Sequence, residues 1–328
     1  MTRSVLVSLF LAVLLLAACA ASLVAGPAGL LIGSGTALDP QAADLILFEL
    51  RVPRTLLAIA AGGVLGLGGA VLQGLLRNPL ADPGLLGISG AGALGGVGAL
   101  YFGLAGMPPL AMPVAGLGGA ALAMLVLMGL AGRRPPPATL ILAGLAVSAL
   151  VGALTWLALS LAPSPFAVAE ALTWIMGTLD AATRQDVWLV APFALVSVLL
   201  LLPLGRGLDA LALGDDTAET LGMRPALVRL LAIVGVAVGT GAVGAVVGAL
   251  AFVGLVVPHA LRPLVGARPG ALLLPSMIGG AVLVLVADIV LRVGFDGTRL
   301  QLGVLTSLLG APVFLWLVMR ARINGGSA

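Results

Sequence analysis

The sequence predicts an all-α polytopic membrane protein, and three observations carry that prediction. Of 328 residues, 61% are hydrophobic and only 9% charged, against about 25% charged in a typical soluble domain. Mean hydropathy is +1.22, which implies more apolar surface than a soluble fold of this size could cover. The apolar runs are ~20 residues long rather than alternating runs of ~10, which selects helices over a barrel. Those are the two architectures that satisfy backbone polar groups in lipid.

The runs divide the chain into ten candidate spans in one membrane domain, 1–328: 4–26, 54–76, 84–104, 108–131, 138–162, 187–204, 225–243, 246–264, 271–292 and 301–320. The first follows Arg3. Leu16-Ala17-Ala18-Cys19 matches a bacterial lipoprotein cleavage pattern, but apolarity continues to Val24, which reads as an uncleaved first span. The stretch from Pro225 to Pro258 admits one long helix, or two short ones broken around Gly239-Thr240-Gly241.

Arginine counting favours two. Formal charge is +3, and all sixteen basic residues are arginine. With two helices there, Arg3, Arg77, Arg133, Arg134, Arg206, Arg224, Arg229, Arg262, Arg268, Arg320 and Arg322 fall inside; Arg51, Arg54, Arg184, Arg292 and Arg299 fall outside. That is 11 against 5; with one helix the split is 9 to 7. The positive-inside rule therefore expects ten spans with both termini cytoplasmic.

Composition excludes several chemistries. Without lysine there is no P-loop lysine, Schiff base or lysine general base. One histidine (His259) and one cysteine (Cys19) leave no His/Cys metal cluster and no disulfide. A pI near 10.4 could suggest nucleic acid, but arginines scattered between apolar runs read as topology signals. Gly239-Thr240-Gly241-Ala242-Val243-Gly244 matches G-x-G-x-x-G, yet lacks the preceding strand and nearby acid that a dinucleotide site needs. Small residues at four-residue spacing (Gly62/Gly66/Ala70/Gly74, Gly235/Gly239, Gly244/Gly248) are expected to pack helices closely within the chain. Asp288 stands deep in a span. It is expected to pair with Arg292 one turn on, the alternative being a proton relay in an ion-coupled transporter.

The polar stretch Gly214-Asp215-Asp216-Thr217-Ala218-Glu219-Thr220-Leu221-Gly222 is read as a short helix. Asp216 and Glu219 fit a capping box, and Gly222 fits a helix stop.

Three stretches carry a resemblance. The first is Arg51-Val-Pro-Arg54 through Gln73 to Arg77-Asn78-Pro79-Leu80-Ala81-Asp82-Pro83 and Leu86-Gly87-Ile88-Ser89. The second is Phe252-Val-Gly-Leu-Val-Val-Pro258-His259 with Arg262, Gly266 and Ala287-Asp288. The third is Gly303-Val304 with Gly310-Ala-Pro-Val-Phe314. In this order and spacing they resemble the permease family of bacterial ABC importers for iron-siderophores, haem and vitamin B12, over nearly the whole chain.

The resemblance implies a non-catalytic, multi-pass subunit of the bacterial cytoplasmic membrane. Such a subunit pairs with a second permease copy, two cytoplasmic ATPase subunits that hold ATP and Mg, and a periplasmic binding protein that delivers a metal chelate. It implies that Arg51, Arg54 and Arg292 dock the binding protein. It implies that Gly214, Asp215, Asp216, Ala218, Glu219, Leu221 and Gly222, within a segment of about 206–224, couple to the ATPase. Gln73, Asn78, Pro79, Gly87, Pro258, His259 and Arg262 are its motif and pathway positions. Pro137 and Ala138 stand where some relatives carry hydroxyl residues at a cytoplasmic gate. Arg299 stands where the family carries an acid. No metal or cofactor site is expected on this chain. Iron chelates are expected as cargo ahead of cobalamin.

Overall fold

The computed structural model describes residues 3–25, 40–101, 111–132, 136–295 and 300–325, and no strand occurs among them. The first helix, α1 (Arg3–Val24), contains Leu16–Cys19 without a break. A short helix, α2 (Pro40–Leu45), leads through a π-helical turn at Ile46–Arg51 into α3 (Val52–Leu75). Pro53 lies in the first turn of α3, directly after the π-helical turn. There follow α4 (Ile88–Tyr101), α5 (Ala111–Ala131), α6 (Pro137–Ser160), α7 (Pro165–Ile175), α8 (Arg184–Leu201), α9 (Gly205–Ala212), α10 (Asp215–Thr220), α11 (Pro225–Val246), α12 (Val253–Val265), α13 (Pro269–Gly294) and α14 (Leu302–Gly325).

Among the described residues, seven segments are long and apolar enough to cross a membrane: 3–24, 41–75, 111–131, 138–160, 184–212, 225–246 and 269–294. The runs expected as spans at 84–104, 246–264 and 301–320 are shorter apolar helices, α4, α12 and the first part of α14. Helix α7 was not anticipated. It is capped by Ser164, whose hydroxyl accepts from the Ala167 amide at 3.2 Å.

Helix α3 is the centre of the structure. Its middle is buried on all sides, and it lies against α13, α12, α11 and α8. Glycines make this possible. A Cβ on Gly62 would overlap the carbonyl of Gly280, and one on Gly66 the carbonyl of Ser276. One on Gly69 would overlap the carbonyl of Gly254 in α12. The four-residue spacing thus packs α3 inside this chain, as expected.

The break between α11 and α12 lies at residues 247–252, not at Gly239-Thr240-Gly241. Gly239 and Gly241 stay helical because they are packing positions, set against Ser197 and Val64, and against Ala120. The turn comes at Gly248 (φ 79°) and Phe252 (φ 66°). A side chain at Gly248 would overlap the Trp174 carbonyl, and the Thr178 amide donates to the Val247 carbonyl at 2.9 Å. Helix α12, at 13 residues, is about 20 Å long, short of a ~30 Å hydrocarbon core. Non-helical chain at that depth is stable only when buried in protein or lining a cavity.

The helix contacts distinguish two substitutions. Gly66→Ala is expected to destabilise by about 1–3 kcal/mol, because backbone blocks the new methyl. Gly129→Ala in α5 meets open space and is expected to be neutral or stabilising by up to ~1 kcal/mol. Thermal unfolding of the two variants in detergent checks the contrast.

Candidate functional site

Three polar regions are strung along α3, whose 24 residues span about 36 Å. At its first turn sits an ion cluster centred on Asp288, which is 0% exposed. Arg54 donates through Nε to Asp288 Oδ1 at 2.8 Å, and its Nη2 lies 2.7 Å from the same oxygen. Arg292 Nη2 faces Asp288 Oδ2 at 3.0 Å, the expected pair one turn apart. Arg292 also donates to the Ser22 carbonyl (3.1 Å), the Ala25 carbonyl (3.2 Å) and the Ser22 hydroxyl (2.7 Å). Ser22 and Thr55 share a hydroxyl hydrogen bond of 2.7 Å. Arg51 donates to the carbonyls of Leu23 and Val24 at 2.8 and 2.7 Å, serving the otherwise unpaired C-terminus of α1.

The three expected docking arginines are therefore brought together, but not as three exposed groups. Arg51 and Arg292 are 7% and 8% exposed and direct their donors inward. Only Arg54 also reaches an exposed partner, Asp180, at 2.9 Å. Burying charge is costly unless every charge is matched, and here the carboxylate and the end of α1 supply the partners. Asp180 and Ser22 carry no sequence pattern that marks them. Their role comes from chain segments more than 100 and 30 residues from Arg54 in the case of Asp180 and from Thr55 in the case of Ser22.

Beyond the other end of α3 lies the 214–222 segment. Its helix begins at Asp215, with Gly214 (φ 119°) as N-cap and no side-chain cap. The capping box expected at Asp216 and Glu219 does not form, because the helix starts one residue too early for it. Asp215 instead faces Arg229, whose Nη2 donates to both carboxylate oxygens at 2.8 and 2.6 Å. Arg77 Nη2 lies 3.6 Å from the same group and donates to the Leu211 carbonyl.

Gly222 closes the helix as expected. It has φ 79°, its amide donates to Glu219 (2.9 Å), and the next amide, Met223, donates to Ala218 (2.9 Å). Ala218 is fully buried. Leu213 and Leu221, by contrast, are 68% and 59% exposed beside this otherwise polar helix. A groove of about 860 Å³ runs alongside, lined by Arg77, Asp215, Glu219, Arg224 and Arg229.

Between these ends, the turn after α3 folds back against the start of α12. Asn78 Oδ1 accepts from the Leu80 amide (3.0 Å), and Asp82 Oδ1 from the Gly84 amide (2.8 Å). Pro79 sits in this turn. Gln73 is buried and its amide reaches three carbonyls, Ala81 (3.4 Å), Gly254 (3.3 Å) and Leu255 (3.4 Å). Arg262 donates to Gln73 Oε1 at 3.0 Å. Gly87 (φ 72°) lets the turn press on the Ser148 backbone of α6. Pro258 is buried in α12, and His259 meets Trp316 of α14 edge-on at 6.3 Å.

The turn lines a cavity of about 730 Å³ that also involves Ser148, Thr155, Trp156, Phe252 and Phe314. The wall supplied by α6 begins at Ser148, about three turns beyond Ala138. Ala138 is exposed at the start of α6, and nothing is described of the Pro137 side chain. The hydroxyls on the cavity wall from α6 are thus Ser148 and Thr155, which the local sequence did not single out. Arg133, Arg134 and Arg299 lie outside the described residues. Among those described, no group of three His, Cys, Asp or Glu residues could hold a metal.

The sequence model of the FecCD transport family matches residues 5–320. The vitamin B12 import system permease protein BtuC of Klebsiella pneumoniae is 38% identical over 284 residues, covering 86% of this chain and 85% of that protein. The Fe(3+) dicitrate transport system permease protein FecD of Escherichia coli K12 is 38% identical over 278 residues, covering 84% and 86%. A solved structure described as a metal-chelate type ABC transporter in an inward-facing conformation aligns with a TM-score of 0.85 at 29% identity, covering 95% of this chain and 98% of its own. PsaBC from Streptococcus pneumoniae in complex with Fab shares the fold alone, at 18% identity and a TM-score of 0.55, covering 84% and 92%.

The ion cluster yields a graded expectation. Asp288→Ala strands two arginines in a buried site and is expected to cost ~3–5 kcal/mol. Asp180→Asn removes only the exposed partner of Arg54 and is expected to cost no more than about 1 kcal/mol. Thermal midpoints in detergent separate the two, and equal losses would contradict this description of the cluster.

Proposed function

This chain belongs to the FecCD transport family, and from that premise we propose that it is the membrane pathway of an ATP-driven importer of metal chelates. The observation that carries the reading is the short helix α10. It is rigidly tied to α3 and α11 by arginines, yet it leaves two leucines bare at a polar end of the molecule. Apolar anchors with a charged rim are what a protein partner buries. Here that partner is a cytoplasmic ATPase, which hydrolyses ATP while this chain performs no covalent chemistry.

The end that carries most of the arginines of the sequence faces the cytoplasm under the positive-inside rule. That orientation gives ten crossings in the bacterial inner membrane, with α4, α12 and α14 as the short ones, and both termini cytoplasmic. The opposite end receives a periplasmic substrate-binding protein. There Arg54 makes the outward contact, while Arg51 and Arg292 hold it in place.

A second copy of the chain completes the pathway. ATP binding moves α10 and shifts the assembly between outward-open and inward-open forms, which requires different affinities of the nucleotide for the two. The cavity wall is mainly apolar and aromatic, with three hydroxyls, the Asn78 amide and a single carboxylate, Asp82. Such a wall suits a metal wrapped in organic ligand rather than a bare ion. The relatives named for vitamin B12 and for ferric dicitrate fall in that class. We place iron chelates, haem or siderophore, ahead of cobalamin. Asp288 does not favour an ion-coupled carrier, because both of its oxygens face guanidinium groups.

Leu221→Asp is expected to abolish co-purification of the ATPase subunits, with stability changed by no more than ~0.5 kcal/mol, since the side chain is exposed. In liposomes, uptake tested against haemin, a ferric siderophore, ferric dicitrate and cyanocobalamin should require ATP and both partner proteins. Uptake driven by an ion gradient alone would refute the proposal.

A further inference from the structure

Arg77 ends α3 in a conformation its side chain disfavours. Its φ is 50°, in the left-handed region. The Arg77 amide donates to the Gly74 carbonyl (3.4 Å) and the Asn78 amide to the Gln73 carbonyl (3.2 Å), the bonding of a helix stop that normally carries glycine. Nothing in the turn itself requires an arginine, and a strained residue that persists points to work done by its side chain.

That side chain leaves α3 altogether. It donates to the Leu211 carbonyl, at the end of α9, and lies 3.6 Å from Asp215, the first residue of α10. Immediately after Arg77 in the chain comes the turn whose Asn78, Leu80, Asp82 and Gly87 line the central cavity. A single residue therefore joins the partner-facing helix to the cavity wall. Among the described residues, no other side-chain hydrogen bond or ion pair links 211–215 to the 77–87 turn.

We propose that Arg77 is the positioning residue that carries motion of α10 to the 78–87 turn, so that ATP at the partner changes access to the cavity. The proposal rests on the reading of α10 as the ATPase-facing helix. The arginine donates to a backbone carbonyl and lies 3.6 Å from a carboxylate already held by Arg229, so displacement of α10 is passed to the backbone of Arg77. From there the turn is stiff, because Gln73 binds the Ala81 carbonyl while Arg262 holds Gln73.

The test uses Arg77→Gly, which keeps the helix stop, relieves the backbone and removes the reach. A second variant, Arg77→Asn, also tolerates the left-handed conformation but is too short to reach Leu211. Each is combined with Cys19→Ser and a reporter thiol, Leu80→Cys, in the complex with its ATPase subunits. The readout is the ratio of maleimide labelling rates with and without ATP. In the Arg77 background the ratio departs from one; in both variants we expect that departure to shrink about tenfold.

Thermal stability and ATPase attachment are expected to remain, and Arg77→Gly to unfold no earlier than the parent. An unchanged ratio in either folded variant overturns the proposal. So does a loss that only tracks detachment of the ATPase or a lower thermal midpoint, since that would make Arg77 a docking or stabilising residue. If the parent chain attaches no ATPase, the functional reading fails along with this inference.

Discussion

The structure depends on how closely the backbone of α3 approaches those of α13 and α12. At Gly62, Gly66 and Gly69 there is no room for a Cβ. In lipid, apolar side chains gain little by leaving one apolar environment for another, so close backbone packing takes over much of the role of hydrophobic burial. With α3 held at its centre, its two ends become fixed reference points about 36 Å apart. The Asp288 and Asp215 networks are assembled near those ends.

The network at the start of α3 shows how buried charge can be tolerated. Asp288 is fully buried and is matched by Arg54 and Arg292. Arg51 and Arg292 also donate to carbonyls and a hydroxyl at the end of α1. This arrangement stabilises chiefly because the buried carboxylate is not left without guanidinium partners. It ties α1, α3 and α13 together at the edge of the apolar region, and it orients Arg54 toward the surface.

The middle of the molecule follows a different rule. Two irregular stretches, 77–87 and 247–252, meet beside the cavity. Backbone polar groups freed by leaving the helix must find partners inside the protein. Gln73, Asn78 and Asp82 supply several of them, reaching carbonyls and amides that no helix serves. The polar residues of these motifs thus have a structural task. They hold open chain segments at a depth where only protein groups can bond them. The same segments supply much of the cavity wall.

Much of this was legible in the sequence. Composition and run length determined an all-helical membrane chain, because hydropathy and the backbone's need for internal hydrogen bonds are local properties. The Asp288–Arg292 pair and the Gly222 stop were equally local, each decided within one turn. Residues far apart in sequence decided the rest. The burial of Arg51 follows from the end of α1, 27 to 28 residues away, and Asp288 meets Arg54 across 234 residues. The α11–α12 break falls at Gly248, beside the Trp174 carbonyl, instead of at Gly239-Thr240-Gly241, because packing partners and not glycine content choose the turn. Helix periodicity says which residues share a face, but only the folded chain says what that face meets.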